Sequence, residues 1–259
     1  MLQSTRRKKP RKPSPPKYPR GERVALVQAY KSAIDDMRAA MQRIVELKIK
    51  PYFVARDGYK SDAIDEDIDA AMGAYTAETD AIVSASEVAA RRLAERISSA
   101  NAREFNRIMQ QYGISAIDSS RPTEDIVRAF VRNNVRFVRS VRGQLRDQVA
   151  DVLNRGLQSG TRWEAIADQI AERGLVSQSR AELIARDQTG KLFGALTRAR
   201  SEAAGFDRYE WSTAGDEKVR DEHIALNGNV YFWSDPPSEG HPGEPVNCRC
   251  VALPVFADD

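Results

Sequence analysis

Residues 206–256, FDRYEWSTAGDEKVRDEHIALNGNVYFWSDPPSEGHPGEPVNCRCVALPVF, are where the hydrophobic period of the chain changes. Tyr209 and Trp211 alternate as in a strand, and Ala214-Gly215-Asp216 makes a turn. Val219 to Leu226 has helical spacing up to Asn227-Gly228, a strong turn signal. Val230 to Trp233 reads as a second strand, Asp235 to Pro245 as a loop rich in Pro and Gly, and Cys248 to Phe256 as a final strand. A compact α+β module over residues 206–259 is therefore expected.

Upstream of Phe206 the apolar residues keep a period of three and four, which predicts helices. Val24, Val27, Tyr30, Ile34, Met37, Met41, Ile44 and Leu47 mark one stripe, ended by Pro51. Ile64, Ile68, Met72, Tyr75 and Ile82, then Leu93, Ile97, Phe105, Ile108 and Met109, mark a second, which stops at Gly113 and breaks near Gly73 or Ser84–Ser86. Within it the acids Asp62, Asp65, Glu66, Asp67 and Asp69 lack the glycine and terminal glutamate of a calcium loop and suit a helix N-terminus instead. A third stripe opens at Pro122-Thr123-Glu124-Asp125 and runs from Ile126 to Leu153. Thr161 with Glu164 caps a short helix closed by Gly174, and Ser179 with Glu182 caps another reaching Gly205. On that helix Gly190 and Gly194 suit close approach of another backbone, or are simply tolerated surface glycines. The expected fold is mainly α: an elongated helical body, in two parts over residues 21–120 and 121–205, carrying the C-terminal module and preceded by a basic arm.

That arm, residues 1–20, is MLQSTRRKKPRKPSPPKYPR. Residues 1–23 hold nine basic side chains against Glu22, about +8, so the net charge of +3 leaves the rest near −5. Five prolines and few apolar residues predict disorder with polyproline character. Arg6, Arg7, Lys8, Lys9, Arg11 and Lys12 form a block suited to phosphate contact on nucleic acid; a solubilising tail or a dock for an acidic protein fits as well. No run of eighteen apolar residues exists, so no membrane partner is expected, and residues 1–20 lack the apolar core of a secretory signal, which points to synthesis in a cytoplasm.

Every His and Cys of the chain, His223, His241, Cys248 and Cys250, falls in the C-terminal stretch. Together they make a Cys2His2 donor set for a structural Zn2+, which a small module gains from. Both cysteines fit one ion only where the last strand begins irregularly, since residues two apart on a regular strand share a face. Locally hydrogen-bonded histidines and buried cysteines are the alternative. Asp216, His223, Asn227 and His241 also contain the residue types of a metal-dependent nuclease acting on DNA, and Cys248 with either histidine those of a thiol nucleophile pair. Residue types alone support both, so no catalysis is expected. Arg249 is expected to pair with Asp216 or Asp221.

The run RAELIARDQTGKLFGALTRARSEAAGFDRYEWSTAGDEKVRDEHIALNG followed by NCRC resembles the phage head morphogenesis family, the Mu F-like minor head proteins. The resemblance lies in Arg180, Ala185, Arg186 and Lys191 on one helix, Tyr209 and Trp211, Asp216 with Val219-Arg220 and His223, Leu226 with Gly228, and Cys248-Arg249-Cys250, and it spans roughly residues 120–253. It implies a virion component of a tailed bacteriophage, present in few copies inside the head near the portal vertex after assembly in the host cytoplasm. Portal protein, major capsid or scaffolding protein and packaged double-stranded DNA are its implied partners, and head assembly, DNA packaging or ejection its implied roles. Some relatives carry a toxin or enzyme domain after this module; with nine residues beyond Cys250, none is expected here.

Overall fold

The computed structural model describes residues 13–54, 61–114 and 123–255. Its elements are α1 (Arg20–Lys48), α2 (Lys50–Val54), α3 (Ser61–Glu78), α4 (Asp80–Gln111), α5 (Glu124–Ser159), α6 (Trp163–Ala203), β1 (Arg208–Ser212), α7 (Asp221–Leu226), β2 (Val230–Phe232) and β3 (Val251–Val255). The fold is mainly α with a small C-terminal α+β module, in line with the change of period at Phe206.

Two boundaries differ from expectation. Helix α6 runs unbroken past Gly174, where a helix end was expected. A mid-helix glycine costs only about 1 kcal/mol, and α6 is held on both sides of it by buried Trp163, Ile166 and Ile170 and by Ala181, Ala185, Leu192, Phe193 and Leu196. The break between α3 and α4 falls at Thr79, between the two expected places. There the Thr79 hydroxyl donates to the Tyr75 carbonyl at 2.7 Å, a bond that competes with the helical ladder. Pro51 lies in the first turn of α2, where its missing N–H costs nothing.

The chain forms two compact units, each assembled from separate stretches of sequence. The first comprises residues 23–93 and 129–186, the second residues up to 22, 94–128 and 187–259, so α1, α4, α5 and α6 each contribute to both.

In the helical unit the apolar stripes supply the core: Tyr30, Ile34, Met37 and Met41 of α1, Ile68, Met72 and Tyr75 of α3, Phe137, Val141, Leu145 and Val149 of α5. Tyr30 packs on Phe137 with ring centroids 4.8 Å apart and gives its hydroxyl proton to Asn134. The outermost positions of the α1 stripe, Val24 and Leu47, are exposed.

The second unit is built around a three-stranded antiparallel sheet of order β2-β1-β3. Every residue of β3 is buried, because this strand is covered on both faces. Leu253 and Val255 join Phe206 and the α4 residues Phe105, Ile108 and Met109. Ala252 lies with Tyr209, Trp211, Trp233 and the two cysteines. In the same unit, α4 and α6 are joined through a buried polar group: Arg200 donates to Asn101 Oδ1 at 2.6 Å, and Asn101 donates to Thr197 Oγ1 at 2.7 Å.

Residues 13–19, which composition assigns to the disordered arm, are placed against this unit. Arg107 of α4 donates to the carbonyls of Ser14 and Pro15, Glu104 accepts from the Lys17 amide, and Tyr18 meets Phe193. Pro13, Pro16 and Pro19 are buried and the residues between them are not. That interval of three is the repeat of polyproline II. Arg6, Arg7, Lys8, Lys9, Arg11 and Lys12 lie outside the described residues.

Candidate metal centre

The centre lies where α7, the Pro/Gly loop and the start of β3 meet. The loop reaches it by docking on α6 through glycines. A Cβ at Gly194 would stand 2.4 Å from the Pro242 carbonyl oxygen, and one at Gly190 2.8 Å from that of Cys248. Of the two readings of these glycines, close backbone approach is the one observed. Asp187, one turn earlier, accepts from the Asn247 amide at 3.1 Å and from Lys191 at 2.7 Å. The first of these bonds holds Asn247 at φ 59°, in the left-handed region.

Opposite the loop, α7 is pinned to β1. Gly228, at φ 82°, lets the turn after α7 fold back so that its amide donates to the Trp211 carbonyl at 2.8 Å. Asn227 Oδ1 accepts from the Thr213 amide at 2.9 Å. Two arginines close the gap to the loop: Arg220 donates to the Val246 carbonyl at 2.5 Å, and Arg249 forms a two-pronged pair with Asp216, both contacts at 2.5 Å. The Arg249 guanidinium beside it holds the Asp216 carboxyl below the usual carboxylate range. Of the motif residues, Asp216, Arg220, Gly228 and Arg249 are thus clamps, and Trp211 is the fully buried floor beneath His223, 5.3 Å between ring centroids. Arg186 is exposed on α6 and belongs to the helical unit.

These clamps bring together three of the four expected ligands. His223 Nδ1 lies 3.5 Å from Cys250 Sγ and 3.8 Å from Cys248 Sγ, and all three side chains are buried. Both cysteines precede β3, which starts at Val251; the irregular strand start that two ligating sulfurs require is present. The Cys250 amide donates to Cys248 Sγ at 3.4 Å. Hydrogen bonding between the neighbouring thiols pushes the Cys248 thiol below its ordinary value and raises that of Cys250. Among the described residues this is the one group of three or more His, Cys, Asp or Glu within reach of a common ion.

His241 is not part of it. Its Nδ1 lies 3.1 Å from the Tyr209 hydroxyl and its ring packs against Trp233 at 5.3 Å. Burial lowers its pKa. Nor do the residues considered for a nuclease converge, since Asp216 is committed to Arg249, Asn227 to Thr213 and His241 to Tyr209. Two contributors escape a reading of the sequence alone. Asp187 sits in the middle of the matching run ARDQTGK, and its polarity beside two glycines was the available signal. Glu239, whose carboxylate faces His223 Nε2 at 3.8 Å, has no local signal in a loop of turn residues.

With this geometry in view, comparison with known proteins is specific in location. Residues 147–253 match the family described as Phage Mu protein F like protein. A Haemophilus influenzae protein described as uncharacterized is 38% identical over 131 residues, 50% of this chain and 29% of its own length. The chain thus spans under a third of that relative. No solved structure matches the chain. From the second half of α5 through α6 to β3, the chain is thus similar to the Mu F-like family.

Proposed function

We propose that the chain is a minor, non-enzymatic component of a tailed-phage head that docks on the portal protein or the inner shell, where major capsid or scaffolding protein would be its neighbour. The observation that carries this is the use to which the matched region puts its motif residues. Asp216, Arg220 and Arg249 join segments of one module instead of lining an open cleft, which suits a part selected for a fixed surface. Its partner surface is rigid by construction, because the loop is seated on α6 through backbone contacts.

The basic block Arg6–Lys12 would meet packaged double-stranded DNA. It is joined to the module's own unit through Pro13–Pro19, so phosphate contact and head contact would be made from one body. Six cations displacing counterions give a log–log salt slope of about −5. Deleting residues 1–12 should abolish DNA retention while leaving the packed prolines in place; salt-independent binding, or retention by the deletion variant, would refute the DNA role. For the architectural role, cryo-EM and mass spectrometry of procapsids and virions decide. Peptides of this chain at low copy number, with density at the portal vertex, are expected, and absence from both particles would sink the proposal.

A further inference from the structure

We propose that His223, Cys248 and Cys250 bind one Zn2+ through the imidazole Nδ1 and two thiolates, with a water completing the tetrahedron and His241 outside it. The inference rests on spacing. Zn–S bonds of about 2.3 Å and Zn–N bonds of about 2.0–2.1 Å at tetrahedral angles place sulfur and nitrogen about 3.6 Å apart. The two Sγ to Nδ1 distances are 3.5 and 3.8 Å, and all the donor atoms lie within 4.8 Å of one another. Three donors already stand close to the corners of such a site.

The surroundings fit the same ion. His223 Nε2 is buried without a hydrogen-bond partner and faces the Glu239 carboxylate. A carboxylate on the far side of a ligating imidazole fixes the tautomer that leaves the near nitrogen free for metal. The Cys250 amide pointing at Cys248 Sγ favours a thiolate there. Thiolate with imidazole selects zinc over the hard cations that prefer oxygen. Binding releases the thiol protons to solvent and changes no oxidation state. The ion would tie α7 to the start of β3, adding to the contacts that Arg220 and Arg249 make across the same gap. This goes beyond the head-protein reading and does not depend on it.

The full chain, purified with zinc in the medium and dialysed, should retain one equivalent of zinc by elemental analysis. The Co2+-substituted form should show sulfur-to-cobalt charge transfer and the visible bands of tetrahedral coordination. Cys248→Ser, Cys250→Ser and His223→Ala should each lose the metal. Glu239→Gln should weaken binding by about 10- to 100-fold. His241→Ala should keep full stoichiometry and an unchanged cobalt spectrum. That last variant and the wild-type spectrum leave the proposal testable even where a cysteine variant fails to fold. A folded wild-type chain with only trace zinc, or rapid alkylation of Cys248 in the zinc-treated chain, would overturn it. So would loss of metal in His241→Ala to the extent seen in Cys250→Ser.

Discussion

Gly143 and Gly194 each sit inside a long helix without a side chain, yet their surroundings are opposite. A Cβ added to Gly143 on α5 would meet nothing within 4 Å, whereas one on Gly194 of α6 would meet the Pro242 carbonyl at 2.4 Å. The first belongs to the helical unit and the second to the sheet-containing unit. The helical unit is specified by a pattern: any residue of suitable polarity and volume on the correct face serves. The module is specified point by point, because its loops have no ladder of their own and are located by individual glycines, arginines and aromatic rings.

The sharpest break of that comparison is at Trp211, fully buried between β1 and His223. Trp211→Ala should cost about 3–5 kcal/mol, whereas the volume-conserving Met41→Leu in the helical core should cost under about 1.5 kcal/mol. Thermal unfolding followed by circular dichroism measures both, and equal losses would erase the distinction. Gly194→Ala should cost about 1–3 kcal/mol, since the atom it meets is backbone that cannot rotate away. Gly143→Ala should instead stabilise by about 0.5–1 kcal/mol through helix propensity. The same unfolding curves give the sign of each.

A smaller effect is tied to pH. Arg249 depresses the Asp216 pKa in the folded chain, so the pair contributes stability above the ordinary carboxylate range and loses it as pH falls through the folded value. Both groups are partly exposed, which keeps the effect small. The melting-temperature difference between wild type and Asp216→Asn should shrink from pH 7 to pH 3; a constant difference would mean the pair contributes nothing.

The same contrast explains what could be read from the residues. Spacing leaves Gly190 and Gly194 open between close approach and tolerated surface glycines, and Arg249 open between Asp216 and Asp221, but helix existence, the strands about Tyr209 and Val230 and the Asn227-Gly228 turn all follow from local spacing or chemical type. Choosing which histidine faces the cysteines does not. It depends on β1 register, where Trp211 opposes Ala252 and Tyr209 opposes Pro254, and those pairings are set by contacts distant in sequence. Trp211 then stands beside His223 and Tyr209 beside His241. The continuity of α6 past Gly174 was hidden for a related reason, since the packing that holds it comes from other segments. At Pro13, Pro16 and Pro19 the signal was present as an interval of three, but a low apolar content concealed that one face is covered.

The central claim is that the module's loop is located by individual contacts on α6, independently of the patterned helical core. Hydrogen exchange by mass spectrometry on wild type and Gly194→Ala tests it most directly. Faster exchange confined to residues 241–250 and their neighbours in α7, with residues 26–45 and 130–153 unchanged, is the predicted result. Acceleration spread evenly over both units, or no change at the loop, would contradict it.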